Sequence, residues 1–404
     1  MINLEIPRKF APLVGQAHQI AREVFRPISR KYDAAEHTYP KELDMLAAMI
    51  DGANDAGRSG GSGAAGVRRG NGDEGRVRNG SNMSTVLGII ELCWGDVGLL
   101  LSMPRQGLGN SAIASVANEE QRQRFAGMWA AMAITEPEAG SDSAAIRTTA
   151  VLDEETGDYV LNGEKIFVTS GDRADLIVVW ATLDRSLGRA AIKSFVVERD
   201  NPGLHLERLE HKLGIRASDT ADFRLVDCRV PKENLLGSPE VDVKRGFAGV
   251  MQTFDNTRPL VAAMAVGLTR ACLEETERVL GEAGLEVDHE AAPATQSAAA
   301  AELLSMQADF EAARLLTLQA AWMADNGKPN SLQASMAKAK AGRTCVDVAM
   351  RCVRLCGSLG YGQELLLEKW ARDAKILDLF EGTQQIQLLI IARQLLGKTS
   401  AELR

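Results

Sequence analysis

At 404 residues the chain is long enough for two or three domains and a sizeable core. Its 45% hydrophobic and 25% charged residues read as an ordinary soluble globular protein, and a net charge of −8 excludes the basic stripe of a nucleic-acid binder. No apolar run reaches the ~18 residues of a membrane span.

The N-terminus, Met1-Ile2-Asn3-Leu4-Glu5, lacks the basic and apolar regions of a signal peptide, so a cytoplasmic location is expected. The six cysteines are scattered, with only Cys352 and Cys356 close together, and form neither a disulfide framework nor a zinc spacing. The five histidines show no H-x-x-x-H pair, and no metal is expected.

In chain order, residues 1–125 read as helical. An amphipathic stretch runs from Phe10 to Tyr32, broken near Pro27, and a second helix follows from Lys41 to Ile50. Ten glycines lie between Gly52 and Gly80, the composition of a flexible surface loop. An apolar helix or helix pair resumes from Met83 to Met103. The small residues Gly107-Leu108-Gly109-Asn110-Ser111-Ala112 then leave room for a bulky ligand.

From Val151 to Leu236 the pattern changes to β-branched and aromatic runs divided by turn signals. Tyr159-Val160-Leu161, Ile166-Phe167-Val168, Leu176 to Trp180, Ser194 to Val197 and Phe223 to Val226 read as strands of a small antiparallel barrel or sandwich. Long amphipathic helices return at about 246–281, 296–325, 329–357, 361–377 and 384–397, the pattern of a bundle. The expected fold is α+β, with an N-terminal helical domain (1–125), a middle β domain (126–240) and a C-terminal bundle (241–404).

Four segments carry candidate chemistry. In Ile134-Thr135-Glu136-Pro137-Glu138-Ala139-Gly140-Ser141-Asp142, a glycine and small hydroxyls expose backbone amides able to hold a heterocycle or an anion, although a plain capped turn gives the same pattern. Lys165-Ile166-Phe167-Val168-Thr169 sits in a strand, where Phe167 alone reads as barrel core. Phe254-Asp255-Asn256-Thr257-Arg258-Pro259 opens a helix, with Pro259 suited to its first turn and Asp255 and Arg258 as a capping ion pair. In Phe380-Glu381-Gly382-Thr383-Gln384-Gln385, Thr383 caps the last helix and Gly382 permits a tight backbone. There Leu379 and Phe380 would give Glu381 an apolar setting that raises its pKa, although a solvated carboxylate near a helix dipole gives the same pattern, and short turns of this kind recur by chance.

Together with Lys212-Leu213-Gly214-Ile215-Arg216-Ala217-Ser218-Asp219-Thr220, Lys369 to Lys375, and Arg26-Pro27-Ile28 with Tyr32-Asp33, Glu36 and Tyr39-Pro40, these segments resemble the acyl-CoA dehydrogenase family over nearly the whole chain. The resemblance implies a bound FAD. It would be contacted by Ile134, Thr135, Gly140, Ser141, Phe167, Thr169, Thr383 and Gln385. The acyl-CoA would be met by Ser141, Asp255, Arg258 and Gly382. It also implies that Glu381 removes the substrate α-proton while flavin N5 accepts the β-hydride, and that electrons pass on to an electron-transferring flavoprotein. An oxidase-type enzyme and a non-catalytic partner subunit are the alternatives.

Two family elements that reach across a dimer interface to the neighbour's FAD are degraded. The places of an Arg-x-x-Phe-Gly fall at Ala283 and Glu286, and a Gln-x-x-Gly-Gly reads Arg354-Leu355-Cys356-Gly357-Ser358. Because some bacterial family members pair two unlike chains, the expected assembly is a tetramer, either α2β2 with a paralogous subunit or a homotetramer in which the 281–296 loop or Arg354 supplies the missing contact.

Overall fold

The structure is a computed structural model that describes residues 6–48, 79–105, 108–241, 248–399 and 402, with backbone only for 248–256. Most of the glycine-rich segment, Gly107 and the side chain of Asp255 lie outside the described residues.

The N-terminal stretch is one continuous path: α1 (Ala11–Ile20), a π-helical turn (Ala21–Phe25) and α2 (Arg26–Ala34). The expected break at Pro27 is therefore a change of winding. Proline has no N–H to give the preceding turn, and a π turn just before it takes up the mismatch. Helix α3 covers 42–48, followed by α4 (Ser81–Gly95), α5 (Val97–Leu101), α6 (Leu108–Val116) and α7 (Glu119–Arg124). The N-terminus of α4 has no side-chain cap of its own. Instead the Asp325 carboxylate, from a distant helix, accepts from the Gly80, Asn82 and Met83 amides at 2.7, 3.0 and 3.0 Å.

Seven strands form the middle layer: β1 (Ala130–Ala133), β2 (Thr149–Leu152), β3 (Tyr159–Thr169), β4 (Leu176–Thr182), β5 (Ile192–Glu198), β6 (Leu204–Leu209) and β7 (Thr220–Val230). Their order is β1-β4-β2-β3-β7-β6, with β5 also on β4. Most pairs are antiparallel, as expected, but β1 runs parallel to β4 through Ala130↔Leu176 to Ala133↔Val179. Strand β4 is buried along its whole length, as a strand covered on both faces must be.

Helices α8 (Ala248–Glu282), α9 (Ala298–Asp325), α10 (Ser331–Leu355), α11 (Gly357–Tyr361), α12 (Leu367–Leu379) and α13 (Gln384–Leu396) complete the chain. Pro259 lies inside α8 rather than in its first turn. The helix begins earlier than the Phe254 motif and runs through the proline at the loss of one backbone hydrogen bond. One apolar core joins α4 to the bundle, with Val86, Leu87, Ile90 and Cys93 packed with Val266, Leu303, Cys345 and Trp370. All six cysteines are free and buried.

A buried polar hub ties the layers together. Lys369 pairs with Asp96 and, at 2.7 Å, with Asp373. Asp373 Oδ1 accepts the Ile215 amide at 2.5 Å, and Arg372 on the same helix bridges to Asp33 at 2.6 Å. Burial alone would lower the Lys369 pKa, but the two carboxylates raise it well above the ordinary value, so the ammonium stays charged. Helix α12 is thereby fixed to both the barrel and α2, which sets the position of the turn at its C-terminal end.

Candidate active site

That turn carries Glu381. Helix α12 ends at Leu379, and Glu381 and Gly382 both take left-handed backbone, φ +58° and +92°, before Thr383 caps α13. Left-handed backbone is uncommon for glutamate and persists only where the surroundings hold it. Here Gln387 Nε2 donates to the carbonyls of Glu381 and Gly382, each at 3.1 Å, and Lys338 Nζ on α10 donates to the Gly382 carbonyl at 2.7 Å. A Cβ on Gly382 would meet Gln387 Nε2 at 2.5 Å and displace that amide, but it is the left-handed φ of +92° that favours glycine there.

The Glu381 carboxylate accepts from Thr257 Oγ1 on α8 at 2.6 Å. Loss of solvation raises its pKa, while the Thr257 hydrogen bond and the Arg258 and Lys338 charges draw it back. The expected direction is right, but the immediate partners are polar groups from α8 and α10, not the side chains of Leu379 and Phe380 alone. Burial in turn lowers Lys338 to about 8, against the opposing pull of Asp378 and Glu381. The result is one carboxylate with a raised proton affinity beside one poised lysine. Sequence reasoning missed Thr257, Lys338 and Gln387. The helical spacing of α10 marks Lys338 only as one more lysine, and its full burial becomes visible only in the packed bundle.

A second cluster lies on the barrel. The Thr135 carbonyl accepts from the Ile166 amide at 2.9 Å, which places Ile134 and Thr135 beside the Phe167 segment. Between Lys165 and Val168 the β3–β7 register shifts. Phe167 sits in that bulge with φ +58°, its amide held by Asp222 Oδ1 at 3.2 Å and its ring 59% exposed. The barrel-core reading of Phe167 is therefore wrong, because a bulge re-aims a side chain that strand alternation would bury. Beneath it, Lys165 is fully buried and donates to the Ile134 carbonyl at 3.2 Å and to Glu136 at 2.7 Å. Glu136 also accepts from the Thr148 hydroxyl and the Arg147 and Thr148 amides at 2.6, 2.6 and 3.0 Å. With its carboxylate so completely satisfied, Glu136 stays ionised below the usual range and the pair is a fixed ionic strut.

Gly140 and Ser141 are exposed, and a Cβ on Gly140 would meet only Thr135 Cγ2, at 3.9 Å. Thr169 is half-buried at the end of β3, while Thr383 and the exposed Gln385 stand at the start of α13. An exposed aromatic face, a rigid turn below it and open space beside it fit a planar heterocyclic cofactor. Arg258 is buried near Glu381.

Within the small residues 108–112, Gly109 and Asn110 face β1 closely. A Cβ on Gly109 would meet the Ala131 carbonyl at 2.4 Å, and Asn110 spans the Met128 carbonyl and the Ala130 amide at 2.8 and 3.0 Å. Their smallness serves the close approach of α6 to β1.

A β domain between two helical regions of the chain, with the half-buried Glu381 carboxylate at a joint between helices, is the arrangement for which the comparisons supply a family. The family's middle-domain sequence model, acyl-CoA dehydrogenase, middle domain, matches residues 131–228, and acyl-CoA dehydrogenase, C-terminal domain, matches 244–396. Acryloyl-CoA reductase (NADH) of Anaerotignum propionicum is 30% identical over 411 residues, 98% of this chain and 97% of the relative. Butyryl-CoA dehydrogenase of Megasphaera elsdenii superposes with a TM-score of 0.83 at 30% identity, over 98% of this chain and 100% of that one. A chain from a structure of the electron transferring flavoprotein of Acidaminococcus fermentans gives 0.82 at 30% identity, with 98% and 100% covered. The chain belongs to the acyl-CoA dehydrogenase family and is an oxidoreductase of the type that dehydrogenates acyl-CoA thioesters.

Proposed function

We propose that the chain catalyses FAD-dependent α,β-dehydrogenation of an acyl-CoA, with Glu381 as the base. A thioester α-hydrogen is weakly acidic, so its removal requires a positioned carboxylate with raised proton affinity and donors aimed at the developing oxyanion. The observation that carries the reading is Glu381 itself, held in left-handed backbone, hydrogen-bonded to Thr257 and with its pKa raised by burial. FAD, when bound, supplies the acceptor for the β-hydride. Phe167, Ile134, Thr135, Gly140, Ser141, Thr169, Thr383 and Gln385 would hold it. Arg258, Asp255, Gly382 and Ser141 would meet the CoA thioester, and Lys338 holds the turn after Glu381 through the Gly382 carbonyl.

Electrons then leave to an electron-transferring flavoprotein, and a cytoplasmic location belongs to the same reading. Among the described residues, no helix is long and apolar enough to cross a membrane. The domain limits 1–125, 126–240 and 241–404 are part of the proposal.

The assembly we infer is an α2β2 tetramer in which this chain carries the base. The groove of about 550 Å³ beyond α8 is lined by Ala283, Glu286, Asp288 and Ser297, with two carboxylates and neither lysine nor arginine in its wall. Arg354 is paired with Glu302. An anion next to that wall is unfavourable without a cation from elsewhere.

The chemical reading is tested by Glu381→Gln, which keeps the shape and removes the proton acceptor. Turnover of butyryl-CoA should fall by ~10²–10⁴-fold with flavin content unchanged. Near-wild-type turnover would show that the base lies elsewhere.

A further inference from the structure

The fold brings two neighbouring side chains able to ligate a metal, Glu36 and His37, to a third that is far away in sequence, His211. Glu36 and His37 follow α2, and His211 lies between β6 and β7. One donor atom of each falls within 4.8 Å of the other two. His211 Nδ1 is 2.9 Å from Glu36 Oε2 across a sequence separation of 175 residues. The His37 and His211 rings meet edge-on, with centroids 4.9 Å apart. A search for H-x-x-x-H cannot find such a group, because its spacing is created where the segment after α2 meets the loop between β6 and β7.

The state of His37 goes beyond proximity. Both of its ring nitrogens are shut off from solvent and neither has a hydrogen-bond partner. A buried polar atom without a partner is costly, and native proteins rarely leave one unless a water or an ion satisfies it. Glu36 is already oriented from behind, since its Oε1 accepts the Lys212 amide at 2.9 Å, the kind of outer hydrogen bond that fixes a ligating carboxylate. The nearest cation is engaged elsewhere, with Lys212 Nζ donating to the Ser218 carbonyl at 2.6 Å while its charge still acts on Glu36 and His37. His37 also lines an open cavity of about 470 Å³ whose wall carries Asp44, Asp172, Asp175 and Asp219 together with Arg105 and Arg173, which leaves solvent access to the cluster.

We propose that Glu36, His37 and His211 bind a divalent transition-metal ion of the zinc type, which clips the segment after α2 to the barrel. Two imidazoles and one carboxylate form a donor set for such an ion, at Zn–N distances of about 2.0–2.1 Å, and do not suit magnesium or calcium, which take oxygen ligands. The buried cysteines offer no competing site.

The test uses the full chain, stripped with a chelator and titrated with Zn²⁺ by calorimetry, with bound metal counted by mass spectrometry. One ion per chain is expected, with Tm raised by a few degrees. His211→Ala, at an exposed position, should weaken binding at least tenfold, as should His37→Asn, while His289→Ala should bind like wild type. If His37→Asn fails to fold, His211→Ala decides alone. No retained zinc, or equal affinity in wild type and His211→Ala, would overturn the proposal.

Discussion

At Glu381 the functional question reduces to a proton affinity and the groups that set it. Burial raises the pKa, and Thr257, Arg258 and Lys338 restrain it. A base must be ionised to act, so kcat/KM should rise as pH climbs through this raised pKa. Replacing Lys338 with Met removes one of the restraining cations. The acid limb of the pH–rate profile should then move to higher pH, whereas Lys338→Arg, which keeps the charge, should leave it nearly in place. An unmoved limb in Lys338→Met would show that the lysine acts only through its bond to the Gly382 carbonyl. Of this cluster the sequence reveals Glu381, Gly382 and Thr383, because their neighbours along the chain define a helix start. Thr257, Lys338 and Gln387 remain hidden, since their contacts depend on how α8, α10 and α13 meet.

At the scale of single elements, the bulge in β3 decides what Phe167 can do. Strand alternation reads that ring as core, yet the register shift and positive φ turn it outward over the Thr135 turn. Because the ring is largely exposed, Phe167→Ala should leave the protein folded. The same substitution should lower the flavin retained after dialysis of the loaded protein, or shift its visible spectrum. Unchanged content and spectrum would count against the ring as a cofactor contact.

The long C-terminal helices are legible from their 3.6-residue periodicity and the last of them from its Thr383 cap. The short strands β1 and β2 are not. Ala130-Ala131-Met132-Ala133 carries no β-branched residue and becomes a strand through its parallel pairing with buried β4. Pro259 misleads for a related reason, since a proline favoured in a first turn is also tolerated inside a helix that packing stabilises.

For the whole molecule, the helical–β–helical order is the one expected from the sequence. The hub of Lys369, Asp96 and Asp373 explains how three layers hold one site, because α12 is tied to the barrel by the Ile215 amide and ends where Glu381 begins. The proposed α2β2 assembly rests on the absence of lysine and arginine from the wall of the groove beyond α8. Expressed alone, the chain should bind FAD weakly, and it should gain flavin and activity with a second chain that supplies an arginine to that groove. A tetramer of this chain alone, with one tightly held FAD per subunit and full activity, would contradict the α2β2 reading.

The most direct measurement follows the proton. With butyryl-CoA in D₂O and no electron acceptor present, the flavin-loaded wild-type protein should exchange the substrate α-hydrogens for deuterium, as read by mass spectrometry. Glu381→Gln, loaded with the same amount of flavin, should show none above the uncatalysed background. Exchange at the wild-type rate in Glu381→Gln would contradict the account.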